Sequence, residues 1–178
     1  MRALDFLHVS IADQQLYGFA DGQLVYRVAV SSARNGPGER SGSNCTPRGL
    51  HQVRARIGDG LPLGAVLRGR RWTGEVWSPE LHDAFPGRDW ILTRILWLSG
   101  CEPGRNRLGA VDSFRRYIYL HGTPDVEPMG VPLSHGCIRL RNDAMLALFE
   151  RVAPGCRVRI EEAACPQWAE LPLARDIS

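Results

Sequence analysis

The chain has 178 residues, 44% hydrophobic and 23% charged, which suits one compact domain that buries roughly 70% of its unfolded surface without disulfides or metal. All 22 basic residues are arginine, spread along the chain and nearly balanced by acids to a net charge of +3, which argues against a nucleic-acid surface. No stretch nears the ~20 apolar residues of a membrane span, and Asp5 and His8 interrupt any apolar run at the amino terminus. The expectation is therefore a cytoplasmic protein without membrane association, or a periplasmic one if a leader precedes this sequence.

The first third reads as a β-meander. Leu4–Ser10 is a short strand, Gln15–Ala20 follows a turn, and Asp21-Gly22 signals a hairpin into Gln23–Ser31, where Leu24, Tyr26, Val28 and Val30 alternate. Residues 34–48, rich in Gly, Ser, Asn and Pro, predict a long loop, and Gly49–Ile57 another strand. Residues 58–88 carry no clear period; within them Arg68-Gly69-Arg70-Arg71 reads as a solvated loop. Trp90–Leu98 is an apolar run that fits a buried strand, Gly100–Asp112 a second loop, and Arg116–Leu120 a strand delivering His121. On its pleat Ile118 and Leu120 share one face, and Tyr117, Tyr119 and His121 the other.

Asn142–Val152 is the clearest helix. Asn142 is the expected N-cap, Pro154 and Gly155 end the segment, and Met145, Leu148, Phe149 and Val152 form one apolar face. Arg157–Glu161 is a closing strand, and residues 163–178 are a tail packed on or trailing from the domain. The sum is a mostly β fold with one main helix.

The chemistry concentrates in Ser134-His135-Gly136-Cys137-Ile138-Arg139-Leu140, with His121-Gly122-Thr123 upstream. A thiol on a glycine-flanked turn lies near backbone N–H groups that lower its pKa and serve as an oxyanion hole. The expected donors are the N–H groups of His135, Gly136 and Cys137. His121, at the end of a strand, is the better base, and the Gly122 carbonyl can accept its second ring N–H. His135 is assigned an orienting role. Arg139 suits a substrate carboxylate, whereas Arg141 reads as structural. A metal site at His121, His135 and Cys137 lacks a fourth ligand and a standard spacing, so neither metal nor cofactor is expected. Cys45, Cys101, Cys156 and Cys165 read as buried small hydrophobes. With Cys137 they make five, and that odd total and irregular spacing suit reduced thiols better than a disulfide framework. His8, His51 and His82 read as structural or surface residues.

These motifs resemble the L,D-transpeptidase catalytic domain, also called YkuD, and Thr46-Pro47-Arg48-Gly49 resembles that family's T-P-x-G segment. The resemblance covers roughly residues 4–161, within an expected catalytic domain of residues 1–162. It implies a β-sandwich or barrel-like fold with the cysteine in a cleft. It also implies attack on the bond between a diamino acid and D-Ala in a peptidoglycan tetrapeptide stem, through a thioester. In that mapping Cys137 is the nucleophile, His121 the base and Gly122 the orienting carbonyl. Ser134, His135 and Gly136 line the site, Arg139 and Thr123 meet substrate, and carbapenems acylate the cysteine in many members. The segment Arg94–Ser113, with Glu102, Gly104 and Asn106, is similar to an extended loop of signal-less members. A muropeptide is the expected partner. Water as acceptor makes the enzyme an L,D-carboxypeptidase. A second stem or a D-amino acid makes it a transpeptidase, and a muropeptide-binding protein without catalysis is a third reading.

Overall fold

The computed structural model describes residues 1–174; the last four residues of the expected tail, 175–178, lie outside the described residues. The chain is mostly β and forms one curled, ten-stranded sheet. The strands β1 (Leu4–Ser10), β2 (Gln15–Ala20) and β3 (Gln23–Ala29) make the meander. They are followed by β4 (Gly49–Ile57), β5 (Ala65–Arg68), β6 (Arg71–Val76), the short helix α1 (Pro79–Ala84) and the long strand β7 (Ile91–Gly100). Then come β8 (Tyr119–Thr123), β9 (Ile138–Arg141), α2 (Asn142–Arg151), β10 (Val152–Glu161) and α3 (Pro166–Ala169). The sheet order is β3-β2-β1-β10-β4-β7-β5-β6, and β8 branches off β7 to pair with β9.

The meander, the strand at 49–57 and the apolar run after Trp90 appear where the sequence predicts them, but β3 ends at Ala29 rather than Ser31, and a bulge at Val25 breaks its expected alternation, so that Leu24 and Val25 are both buried. The stretch 58–88 hid two strands and a helix. The β5–β6 pair is short and β6 is largely solvent-exposed, so it buries too few alternate positions to leave a period. Its turn, Gly69-Arg70, has both residues at positive φ, 55° and 65°, as a two-residue hairpin requires. The strand before His121 begins at Tyr119 rather than Arg116. Arg116 N–H donates to the Asp112 carbonyl and Tyr117 N–H to the Phe114 carbonyl, so the preceding residues form a turn.

Helix α2 carries its predicted face in Met145, Leu148 and Phe149, which are buried in the main core with Val152, one residue past the helix at the start of β10. Asn142, however, is not its N-cap. Arg141 holds the extended cap position, and the Asn142 side chain turns inward to donate to the Thr123 carbonyl at 3.0 Å and to meet Thr93 Oγ1 at 2.5 Å. The closing strand starts at Val152 and takes Pro154 and Gly155 into its irregular first half. Beyond it, Trp168 packs edge-on to His8, with ring centroids 4.5 Å apart, and against Tyr17 and Phe19.

Two of the four cysteines expected in the core, Cys156 and Cys165, are buried, but Cys45 and Cys101 are half-buried. Cys45 Sγ lies on the carbonyl of Asn35 (3.4 Å) and Cys101 under the Arg157 guanidinium (3.1 Å), because both sit in polar loops.

Candidate active site

Parallel pairing of β8 and β9 brings the separated motifs together. Leu120 faces Ile138, His121 faces Arg139, Gly122 faces Leu140 and Thr123 faces Arg141. Because side chains alternate across a strand, the even positions Leu120, Ile138 and Leu140 fall into the core, joined by Ile118. The odd positions Tyr119, His121 and Arg139 fall on the opposite face, and Cys137, one residue ahead of β9, lines a pocket of about 290 Å³ with them. Ser134 and His135 line the same pocket, as do Arg70, Asp89, Ile91 and Tyr117.

Cys137 sits on a turn built by its neighbours. Ser134 is buried; its hydroxyl donates to the Cys137 carbonyl (2.5 Å) and accepts the Gly136 N–H (3.2 Å). Gly136 holds φ +132° where a Cβ would come 3.3 Å from the Cys45 carbonyl oxygen, so both its backbone and its space favour glycine. Thr46, the first residue of the T-P-x-G segment, is fully buried and donates from Oγ1 to the Gly136 carbonyl at 3.0 Å. Arg116 clamps the loop carrying it, donating to the carbonyls of Gly38, Glu39 and Cys45.

The Gly136 N–H expected in an oxyanion hole is therefore committed to Ser134. The N–H beside the sulfur comes instead from Tyr119, which donates to Sγ at 3.4 Å, while the thiol donates to the Tyr117 carbonyl at 3.4 Å. Tyr117 holds φ +57°, a conformation that a non-glycine residue keeps only when its surroundings enforce it.

His121 is buried and its Nδ1 lies 2.7 Å from the Gly122 carbonyl oxygen. A carbonyl only accepts, so Nδ1 carries the proton and Nε2 is left as the basic nitrogen. Gly122 is required by space: a Cβ there would meet Asn142 Oδ1 at 2.5 Å and the Leu92 carbonyl oxygen at 2.7 Å. His135, by contrast, is mostly exposed and faces Asp89 Oδ2 at 3.8 Å. Thr123, expected at the substrate, is buried outside the pocket lining, with its carbonyl accepting Asn142.

Burial pushes the Cys137 thiol up to about 12, opposed by the Tyr119 N–H and reinforced by the Asp89 carboxylate. Burial also lowers His121 to about 4, against the Gly122 carbonyl and Asp89. Thiol and imidazole are thus both neutral at rest, and among the described residues the thiol's hydrogen bonds go to main chain rather than to His121. Arg139 donates from Nη2 to Asp89 Oδ1 at 2.8 Å, with Glu127 4.0 Å from Nη1.

The loop 100–112 does not reach this pocket. Its buried Asn106 donates to the carbonyls of Arg48 and Leu50, and Glu102 accepts the Leu50 N–H. It is a brace behind β4 instead of a cover over Cys137. Asp89, Arg70, Tyr117 and Ile91 form the pocket walls that sequence reasoning missed. The one available signal was the shared face of Tyr117, Tyr119 and His121; nothing local marks Arg70 or Asp89.

Burial also lowers His51 to about 4, and His8 in the same direction. An unfolded imidazole titrates near 6.5, so between pH 6.5 and 4 the unfolded chain binds more protons than the folded one. Stability is then fully present above pH 6.5 and declines as pH falls toward 4, by at most about 1.4 kcal/mol per pH unit for each such histidine. Thermal unfolding is expected at a clearly lower temperature at pH 5 than at pH 7; equal midpoints would contradict the buried neutral imidazoles.

A thiol, a buried imidazole of defined tautomer and a backbone N–H around one pocket, on a curled β frame, are the components of a cysteine-nucleophile site. The chain belongs to the L,D-transpeptidase family: the model of the L,D-transpeptidase catalytic domain (YkuD) matches residues 5–160. Among curated relatives it is 30% identical over 112 residues to Salmonella typhimurium (strain LT2) "Probable L,D-transpeptidase ErfK/SrfK", covering 56% of this chain and 36% of that protein. The chain thus spans about a third of the length of the curated relatives it matches. Among solved structures, an L,D-transpeptidase from Mycobacterium smegmatis superposes with a TM-score of 0.55 at 16% identity, over 88% of this chain and 58% of that one. L,D-transpeptidase 3 from Mycobacterium tuberculosis with a faropenem-derived adduct gives 0.54 at 19% identity, over 88% and 60%.

Proposed function

We propose that this protein cleaves the bond between the diamino acid and D-Ala of peptidoglycan tetrapeptide stems. Cys137 attacks the carbonyl as its proton passes to Nε2 of His121, D-Ala leaves with that proton, and a thioester remains. Water then attacks, with His121 taking its proton and returning it to the departing thiolate. The product is a tripeptide, and the activity that of an L,D-carboxypeptidase acting on soluble muropeptides in the cytoplasm. The observation that carries the reading is the pairing register that sets His121 beside Arg139, with Cys137 just ahead of β9, on one face.

The room at the sulfur favours hydrolysis. About 290 Å³ is at the lower end for small-ligand sites and suits one stem end followed by water. The five free cysteines support a reducing compartment. A second reading, L,D-transpeptidase, draws on a flanking groove of about 280 Å³ that shares Asp89, His135 and Arg139 with the Cys137 pocket and gives an acceptor stem room beside it. A penem or carbapenem acylates Cys137 in either case.

Incubating the protein with disaccharide-tetrapeptide, with and without a D-amino acid or second stem, and weighing the products distinguishes the readings. Tripeptide alone is the expected outcome. Exchanged or dimeric product makes it a transpeptidase. If neither forms while Cys137→Ala still binds muropeptide, the protein is a binding module.

A further inference from the structure

We propose that Arg70 is the receptor for the free C-terminal carboxylate of the peptide, and so the residue that restricts cleavage to a terminal amino acid; this rests on the substrate class proposed above. Of the two guanidinium groups lining the Cys137 pocket, Arg139 is already engaged by Asp89 at 2.8 Å and has Glu127 4.0 Å away. A substrate carboxylate would enter a neighbourhood of one cation and two acids. Arg70 has no acidic partner among the described residues. Its guanidinium carbon lies 4.9 Å from the ring centre of Trp97 and 4.9 Å from that of Tyr117, and Nη1 donates to the Tyr119 hydroxyl at 3.3 Å.

This mounting suits an anion receptor. Aromatic faces hold a guanidinium in place without neutralising it. A single N–H is spent on Tyr119, which leaves donors for a bidentate carboxylate contact. Trp97 is itself fixed, stacked on Phe114 at 3.9 Å between centroids, with its indole N–H on the Phe114 carbonyl. The backbone points the same way. Arg70 occupies φ +65° at a turn position that usually takes glycine or asparagine, and Tyr117 across from it occupies φ +57°. Two strained residues thus meet in one cation–aromatic contact beside the sulfur. The Tyr117 carbonyl that accepts the Cys137 thiol belongs to this same unit, so a carboxylate on Arg70 is registered against the nucleophile.

Binding is measured in the Cys137→Ala protein, by calorimetry, with a stem tetrapeptide ending in D-Ala carboxylate and with its terminal carboxamide. The Cys137→Ala protein should prefer the acid, and adding Arg70→Gln should weaken acid binding about tenfold to hundredfold and leave amide binding within about twofold. Tyr119→Phe, which keeps the charge but loses one anchor, should weaken acid binding only a few-fold and guards against misfolding of the arginine variant. Equal affinity for acid and amide before Arg70 is changed, or an acid preference that survives Arg70→Gln, overturns the proposal. So does a preference that follows amidation of the diamino acid's own carboxylate. These outcomes are read without turnover, so they stand apart from whether the wild-type protein cleaves the stem.

Discussion

Replacing His121 by alanine should lower the rate of D-Ala release and of β-lactam acylation by about 10²–10⁴-fold, and replacing Cys137 by alanine should abolish both. With the thiol pushed up to about 12 by burial, about one molecule in 10⁵ carries a thiolate at pH 7. The nucleophile must therefore hand its proton to a base in the step that forms the thioester. Nε2 of His121 is the nitrogen left free by the Gly122 carbonyl, and with the ring lowered to about 4 it is unprotonated throughout the neutral range. Two further consequences follow. The wild-type rate should hold down to about pH 5 and fall below it. The His121→Ala rate should rise roughly tenfold per pH unit as hydroxide replaces the base. Intact-protein mass spectrometry of the acyl-enzyme measures both. If His135→Ala loses acylation while His121→Ala keeps it, the roles of the two histidines are reversed.

Gly122→Ala is the second large effect, and it acts without touching any reacting atom. The new Cβ would lie 2.5 Å from Asn142 Oδ1 and 2.7 Å from the Leu92 carbonyl oxygen. Neither neighbour can yield cheaply. Leu92 is buried in β7 and pairs with Gly122 itself, and Asn142 is buried and held by Thr93 and Thr123. Overpacking of this kind costs about 1–3 kcal/mol, and relief requires β8 to move away from β7. That motion carries off the carbonyl that fixes the His121 ring, and a misplacement of about 1 Å is enough to cost 10²-fold in rate. The expected result is a lowered unfolding temperature together with a rate loss of at least that size. A variant of wild-type stability and activity would show that the Asn142–Gly122 packing does not position the base.

Local pattern made much of this protein readable. The hairpin turn before Gln23–Ala29, the continuous apolar run in β7 and the helical spacing of Met145, Leu148 and Phe149 in α2 are local signals, and each announces its element. The stretch 58–88 lacked that signal because β6 buries almost nothing. Asn142 shows the opposite failure. Its side chain suits an N-cap, and tertiary contacts with Thr93 and Thr123 outbid the local one.

The sequence by itself determined the chemical pieces: a thiol on a glycine turn, a histidine followed by glycine, and the residue parity that keeps Tyr119 and His121 off the core. These are legible because they depend on residues one to three apart. Only the tertiary structure decided which charged groups surround the sulfur. Asp89, from the segment just before β7, takes up Arg139, and Arg70, from a hairpin turn nearly seventy positions before Cys137, is held beside the site by Trp97 and Tyr117. Partners so far apart meet through the branching of the sheet at β7, and a pairing set by strand order leaves no periodic trace in the residues it joins.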